Sequence, residues 1–95
     1  MEMVRLKFAE KGKAVFFIAD SDGKQLAELI VNIVESNLIV PGITALKGKR
    51  ESLRSKLFHA LISYARAHYL KVIAFNSFVY NKLKDDPELY ADVMG

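Results

Sequence analysis

The sequence predicts an α+β domain: four strands joined by tight turns as an antiparallel meander, then one β-α-β unit and a last helix, in the order ββββ-α-β-α. Three observations carry that expectation. Short apolar or alternating stretches, separated by turn-forming clusters, fill the chain up to about Val40. Apolar residues then recur at three- and four-residue spacing, the period of a helix. A short β-branched stretch and a second helical stretch follow.

Residues 4–8 set Val4, Leu6 and Phe8 against Arg5 and Lys7, the alternation of a half-buried strand. Glu10-Lys11-Gly12-Lys13 reads as a turn, and residues 14–19 as a second strand rich in Phe and Ile. Ser21-Asp22-Gly23 is a turn signal, since Gly accepts φ > 0 without a steric penalty and Asp tolerates it. Residues 26–34 form the third strand, Ser36-Asn37 the next turn, and a fourth strand starts at Leu38. Leu53, Leu57, Ala60, Leu61, Tyr64 and Ala65 then mark the apolar face of a helix over residues 52–69. Glu51, Ser55, His59, Ser63 and Arg66 take its wetter side. Residues 70–75 are a short buried strand, and Phe78, Val79 and Leu83 give residues 77–84 helical spacing. Asp85-Asp86-Pro87 ends that helix, and Pro87 opens a last turn through Tyr90 and Val93. The fourth and fifth strands, joined through the long helix, are expected to be parallel neighbours with a right-handed crossover.

Ninety-five residues, 52% hydrophobic and 26% charged, suit a single globular domain over 1–95 and not a disordered chain. Cysteine is absent, which removes disulfides, thiolate metal sites and a cysteine nucleophile from consideration. The start of the chain is charged and lacks a long apolar stretch, and no run approaches the roughly 20 residues of a membrane span. A cytoplasmic, soluble protein with no membrane partner is the default expectation.

The net charge of +3 is mild, but its distribution is uneven. Lys47, Lys49, Arg50, Arg54 and Lys56 cluster with only Glu51 against them, while Asp85, Asp86, Glu88 and Asp92 gather in the tail. The basic cluster enters the long helix, whose first N–H groups are unsatisfied and whose N-terminus carries partial positive charge. Cations placed there suit a shared anion such as phosphate; the competing reading is a solvated basic loop.

From Leu38 to Val93 the chain resembles the short, truncated members of the GNAT-type N-acetyltransferase superfamily. The stretch Leu57-Phe58-His59-Ala60-Leu61-Ile62-Ser63-Tyr64-Ala65-Arg66 followed by Leu70-Lys71-Val72-Ile73-Ala74 carries the resemblance, with Ser77-Phe78 and the closing Tyr90-Ala91-Asp92-Val93. Before Leu38 only the strand pattern matches, including Ala27-Glu28-Leu29. The resemblance implies a GNAT-like (acyl-CoA N-acyltransferase) fold and acetyl-CoA as cofactor. It places Ile43, Lys49, Arg50, Ser52, Leu53, Arg54 and Asn76 at the CoA site.

The departures from the pattern bear on chemistry. The family's pyrophosphate loop, Gln/Arg-x-x-Gly-x-Gly/Ala, falls on Glu51-Ser52-Leu53-Arg54, with Ser52 and Arg54 where glycines let backbone N–H groups approach phosphate. Side chains then bind the phosphates, or cofactor binding is lost. Val40-Pro41-Gly42 stands where the short family has Asp-His-Thr, and Asn76 where it often has Cys. Asn76 either meets the pantetheine arm or caps the second helix. Pro41-Gly42 is either the bulge that splays two strands for pantetheine or a plain strand end.

Other titratable groups are weaker candidates. His59 faces solvent, His68 complements a helix C-terminus, and Tyr64 and Tyr69 read as core and boundary residues. Tyr80, beside the expected cleft, is the candidate catalytic general acid. No metal-ligand spacing occurs. Three functional classes follow: an acetyl-CoA-dependent N-acetyltransferase acting on an amine with weak or lost activity, a non-catalytic module binding CoA or another phosphorylated ligand, and a nucleic-acid or partner-binding protein. The basic cluster lacks interleaved aromatics, which argues against nucleic acid.

Overall fold

The computed structural model describes residues 3–8, 12–45 and 50–95. Strands β1 (Met3–Phe8), β2 (Lys13–Ala19), β3 (Gln25–Val34) and β4 (Asn37–Ala45) precede helix α1 (Arg50–Ala67), strand β5 (Lys71–Ala74) and helix α2 (Ser77–Asp85). The strands lie in chain order in one sheet. Pairings from β1 to β4 are antiparallel, and β4–β5 is parallel. The meander therefore does not stand alone: β5 joins it, and the whole is a five-stranded mixed sheet.

Alternation decides which face is buried. Phe16 pairs with Leu29, Ala14 with Val31 and Ile18 with Ala27, and all six are in the core. Helix α1 covers this face with Leu53, Leu57, Phe58, Leu61, Ile62 and Ala65. The apolar face expected from the sequence takes in Leu53, Leu57, Leu61 and Ala65 but omits Phe58 and Ile62, which share its three- and four-residue spacing. Phe58 is buried because Tyr90 of the tail packs edge-on against it, ring centroids 5.4 Å apart.

Two turns differ from the sequence reading. Gly23 is in the left-handed region (φ 84), but Asp20 organises the turn: its Oδ1 accepts from the N–H groups of Asp22 and Lys24. The β3–β4 turn is at Glu35-Ser36, with Asn37 already paired to Val34. Helix α1 stops at Ala67, two residues before the expected end, because Tyr69 takes a left-handed conformation (φ 56). Its ring is consequently 91% exposed, not at a boundary.

The tail beyond α2 docks on the outer edge of β5. Val72 N–H donates to Val93 O at 2.6 Å, Gly95 N–H donates to Val72 O at 3.1 Å, and Val93 is buried. Arg66 holds this segment in a fork: its Nε donates to Asp92 Oδ2 at 2.9 Å and its Nη2 to Leu89 O at 2.7 Å. Lys71 Nζ adds a bond to the Asp92 carbonyl at 2.8 Å. The hydrogen bond from Arg66 holds the Asp92 carboxyl below its ordinary value, and the same bond raises that of Arg66. The closing Tyr90-Ala91-Asp92-Val93 thus seals a sheet edge that would otherwise expose unpaired backbone.

Candidate functional site

The site begins with a proline in a strand. Ile30 pairs with Gly42 and Asn32 with Ile39, so Val31 faces two residues, Val40 and Pro41, across a β-bulge. Proline has no N–H for a ladder bond, and a bulge is where a strand interior tolerates it. Pairing between β4 and β5 runs from Asn37–Lys71 to Val40–Ala74 and closes with Phe75 N–H donating to Val40 O at 3.0 Å. Beyond that point β5 ends, while β4 continues to Ala45. Residues 41–45 therefore have β3 on one side and no strand on the other.

A groove follows this unpaired edge. Gly42, Ile43 and Thr44 line its first part with Glu28, Ile30 and Asn76. Ile43, Thr44 and Ala45 line the second with Arg54. The two parts share Ile43 and Thr44 of β4, with Arg54 of α1 lining one and Asn76, before α2, lining the other.

Asn76 has extended backbone (φ −98, ψ 131) and caps α2: its Oδ1 accepts from Val79 N–H at 3.2 Å. The cap holds one face of the amide, and the residue still lines the groove. Arg54 reaches from α1 to α2, its guanidinium 4.4 Å above the Phe78 ring. Its Nη2 lies 3.6 Å from Glu51 Oε1, an exposed i,i+3 pair that contributes little. Its Nε is buried with no hydrogen-bond partner. An unmet buried donor costs about 1–3 kcal/mol, so this position favours an incoming acceptor.

The other expected CoA residues are distributed differently. Lys49 lies outside the described residues, and Arg50 opens α1. Ser52 is exposed on the first turn. The Leu53 side chain is buried in the core, so only its backbone remains for a ligand. Tyr80 is half exposed and lines a separate depression with Val72, Ile73, Leu83 and Met94, Lys84 lying 5.1 Å over its ring. No residue of β4 lines that depression.

Neither a family model nor a curated protein matches this chain.

Glu28 is the residue that sequence reasoning passed over. It is the one carboxylate lining the groove among the described residues, half-buried, with Oε2 accepting from Gln25 Nε2 at 3.1 Å. Strand alternation alone signals it: Ala27 and Leu29 face the core, so Glu28 faces the other way, opposite Thr44. The groove thus combines an unsatisfied strand edge, a cation beside a helix N-terminus and a carboxylate.

Proposed function

We propose that this chain is an N-acetyltransferase-like protein that binds CoA or acetyl-CoA along the unpaired edge of β4. The supporting observation is that β4–β5 pairing stops at the Pro41 bulge, leaving residues 41–45 between Arg54 and Asn76. The residues fit such a ligand. A strand edge supplies backbone donors and acceptors to an amide-bearing arm, as in strand addition. The Asn76 amide is at one end, and the start of α1, with Ser52, Arg54 and the backbone of Arg50, suits phosphate at the other.

Acetyl-CoA would supply an activated acetyl thioester. The chain's own contribution is to orient that group beside an amine and to provide N–H donors where negative charge develops. Glu28 is the groove's candidate acceptor for the amine proton, a general-base role distinct from the general-acid role expected of Tyr80. The position of Tyr80 in another depression favours a second reading, a CoA-binding module without turnover.

Calorimetry with acetyl-CoA tests the proposal. Micromolar affinity is expected, weakened at least tenfold in Arg54→Ala, since a charge-assisted hydrogen bond contributes about 1.5–3 kcal/mol. Unchanged affinity in that variant removes the phosphate site. A coupled assay for free CoA with polyamine and peptide acceptors separates the two readings. Slow turnover that falls further in Glu28→Gln supports the enzyme, and tight binding without turnover supports the module.

A further inference from the structure

The face of the sheet opposite α1 is unusual for one that meets water. Antiparallel sheets with a solvated side place polar residues at alternate positions there. Here the outward positions include Val15, Phe17, Ile30 and Ile39, none of which belongs to the core. The pairings make them neighbours: Val15 is opposite Ile30, and Asn32 opposite Ile39. Ile30 is 41% exposed.

The charge beside this patch is one-sided. Arg5 is opposite Phe17 and Lys7 opposite Val15 on the neighbouring strand, so both stand on the same face as the patch. Lys13, opposite Asn32, shares that face too. All three are exposed, and none has an ion pair among the described residues. Residues two apart on a strand are roughly 7 Å apart, so Arg5 and Lys7 form a short cationic row at the outer border. Lys71 is already engaged by the Asp92 carbonyl, and Glu28, an acid on the same face, is bonded to Gln25.

This arrangement selects among occupants. In a face-to-face dimer a two-fold axis across the strands sets β1 and β2 over the same cations, and one along them sets Arg5 and Lys7 over Lys71, so both repel. A single-stranded nucleic acid would need several stacking rings, and of Val15, Phe17, Ile30 and Ile39 only Phe17 is aromatic. We propose that this face docks an acidic amphipathic segment of a partner protein. Its apolar side chains cover Val15, Phe17, Ile30 and Ile39, and its carboxylates meet Arg5, Lys7 and Lys13. The proposal does not depend on CoA binding, although Ile30 also borders the β4 groove.

The test uses the full chain, labelled with 15N, and a synthetic helical peptide with Leu at i, i+3, i+4 and i+7 and Glu along one flank. The expected result is saturable shifts at Val15, Phe17, Ile30 and Ile39, with affinity lowered at least tenfold in Arg5→Glu/Lys7→Glu/Lys13→Glu. A Lys-flanked version of the peptide should bind that triple variant and not the natural chain. Shifts confined to α1 or α2, or equal binding of both peptides to the natural chain, overturn the proposal. So does no binding at millimolar peptide with the fold intact by circular dichroism. Sedimentation showing a dimer that Ile30→Lys dissolves would assign the face to a second copy. Tighter binding of oligo-dT or anionic vesicles than of the acidic peptide would assign it to those ligands.

Discussion

At the residue scale, the Arg66–Asp92 pair, which joins α1 to the tail across 26 residues of sequence, gives a pH signature. Asp92 titrates below its ordinary value of 3.8, so its contribution is complete above that value and is lost as pH falls through the lower folded-state value. Thermal melts should show the natural chain losing stability in that acid window. Asp92→Asn should start lower at neutral pH and lack that part of the slope. At the same scale, Asn76→Ala removes the cap bond to Val79 and should cost about 0.5–2 kcal/mol by urea unfolding, with Asn76→Ser retaining most of it.

At the element scale, periodicity located every strand and helix, because an alternating pattern and a three-to-four spacing cannot bury the same residues. The expected apolar face of α1 was too narrow: Phe58, Leu61, Ile62 and Ala65 stand at i, i+3, i+4 and i+7, and the tail packs on Phe58. Phe58→Ala should therefore destabilise by about 3–5 kcal/mol in urea and also loosen the tail, visible as faster amide exchange at Val93. Strand β4 shows the opposite case. Pro41-Gly42 announces an irregularity, and the structure makes it a bulge opposite Val31 that coincides with the end of β5. Deleting Pro41 would let β4 pair with β3 without a bulge. The outcome expected is a folded protein whose CoA affinity falls: the pairs Asn32–Ile39 and Ile30–Gly42 are kept, but the bend that the bulge puts into β4 where β5 ends is lost.

At the scale of the whole molecule, the sheet has two different faces and two different edges. One face is closed by α1, and the edge at β5 is closed by the tail. The proposed ligand groove beside β4 and the proposed docking face with its cationic border lie on what remains. No described helix is long and apolar enough to cross a membrane. The candidate site was legible where it rests on backbone exceptions and formal charge, as at Pro41, Arg54 and Asn76. Glu28 was not: alternation sets it on the face away from α1, but only the fold brings residues 42–44 and Asn76 beside it, and Tyr80 falls in a separate depression beside α2.

Amide shifts in a 15N-labelled chain titrated with CoA show whether ligand lies along the unpaired half of β4. Saturable changes are expected at Gly42, Ile43, Thr44, Ala45 and Asn76, with the Arg54 side-chain Nε–H moving as it gains an acceptor. Shifts centred instead on Tyr80, Lys84 and Met94, or none at millimolar CoA, would contradict that placement.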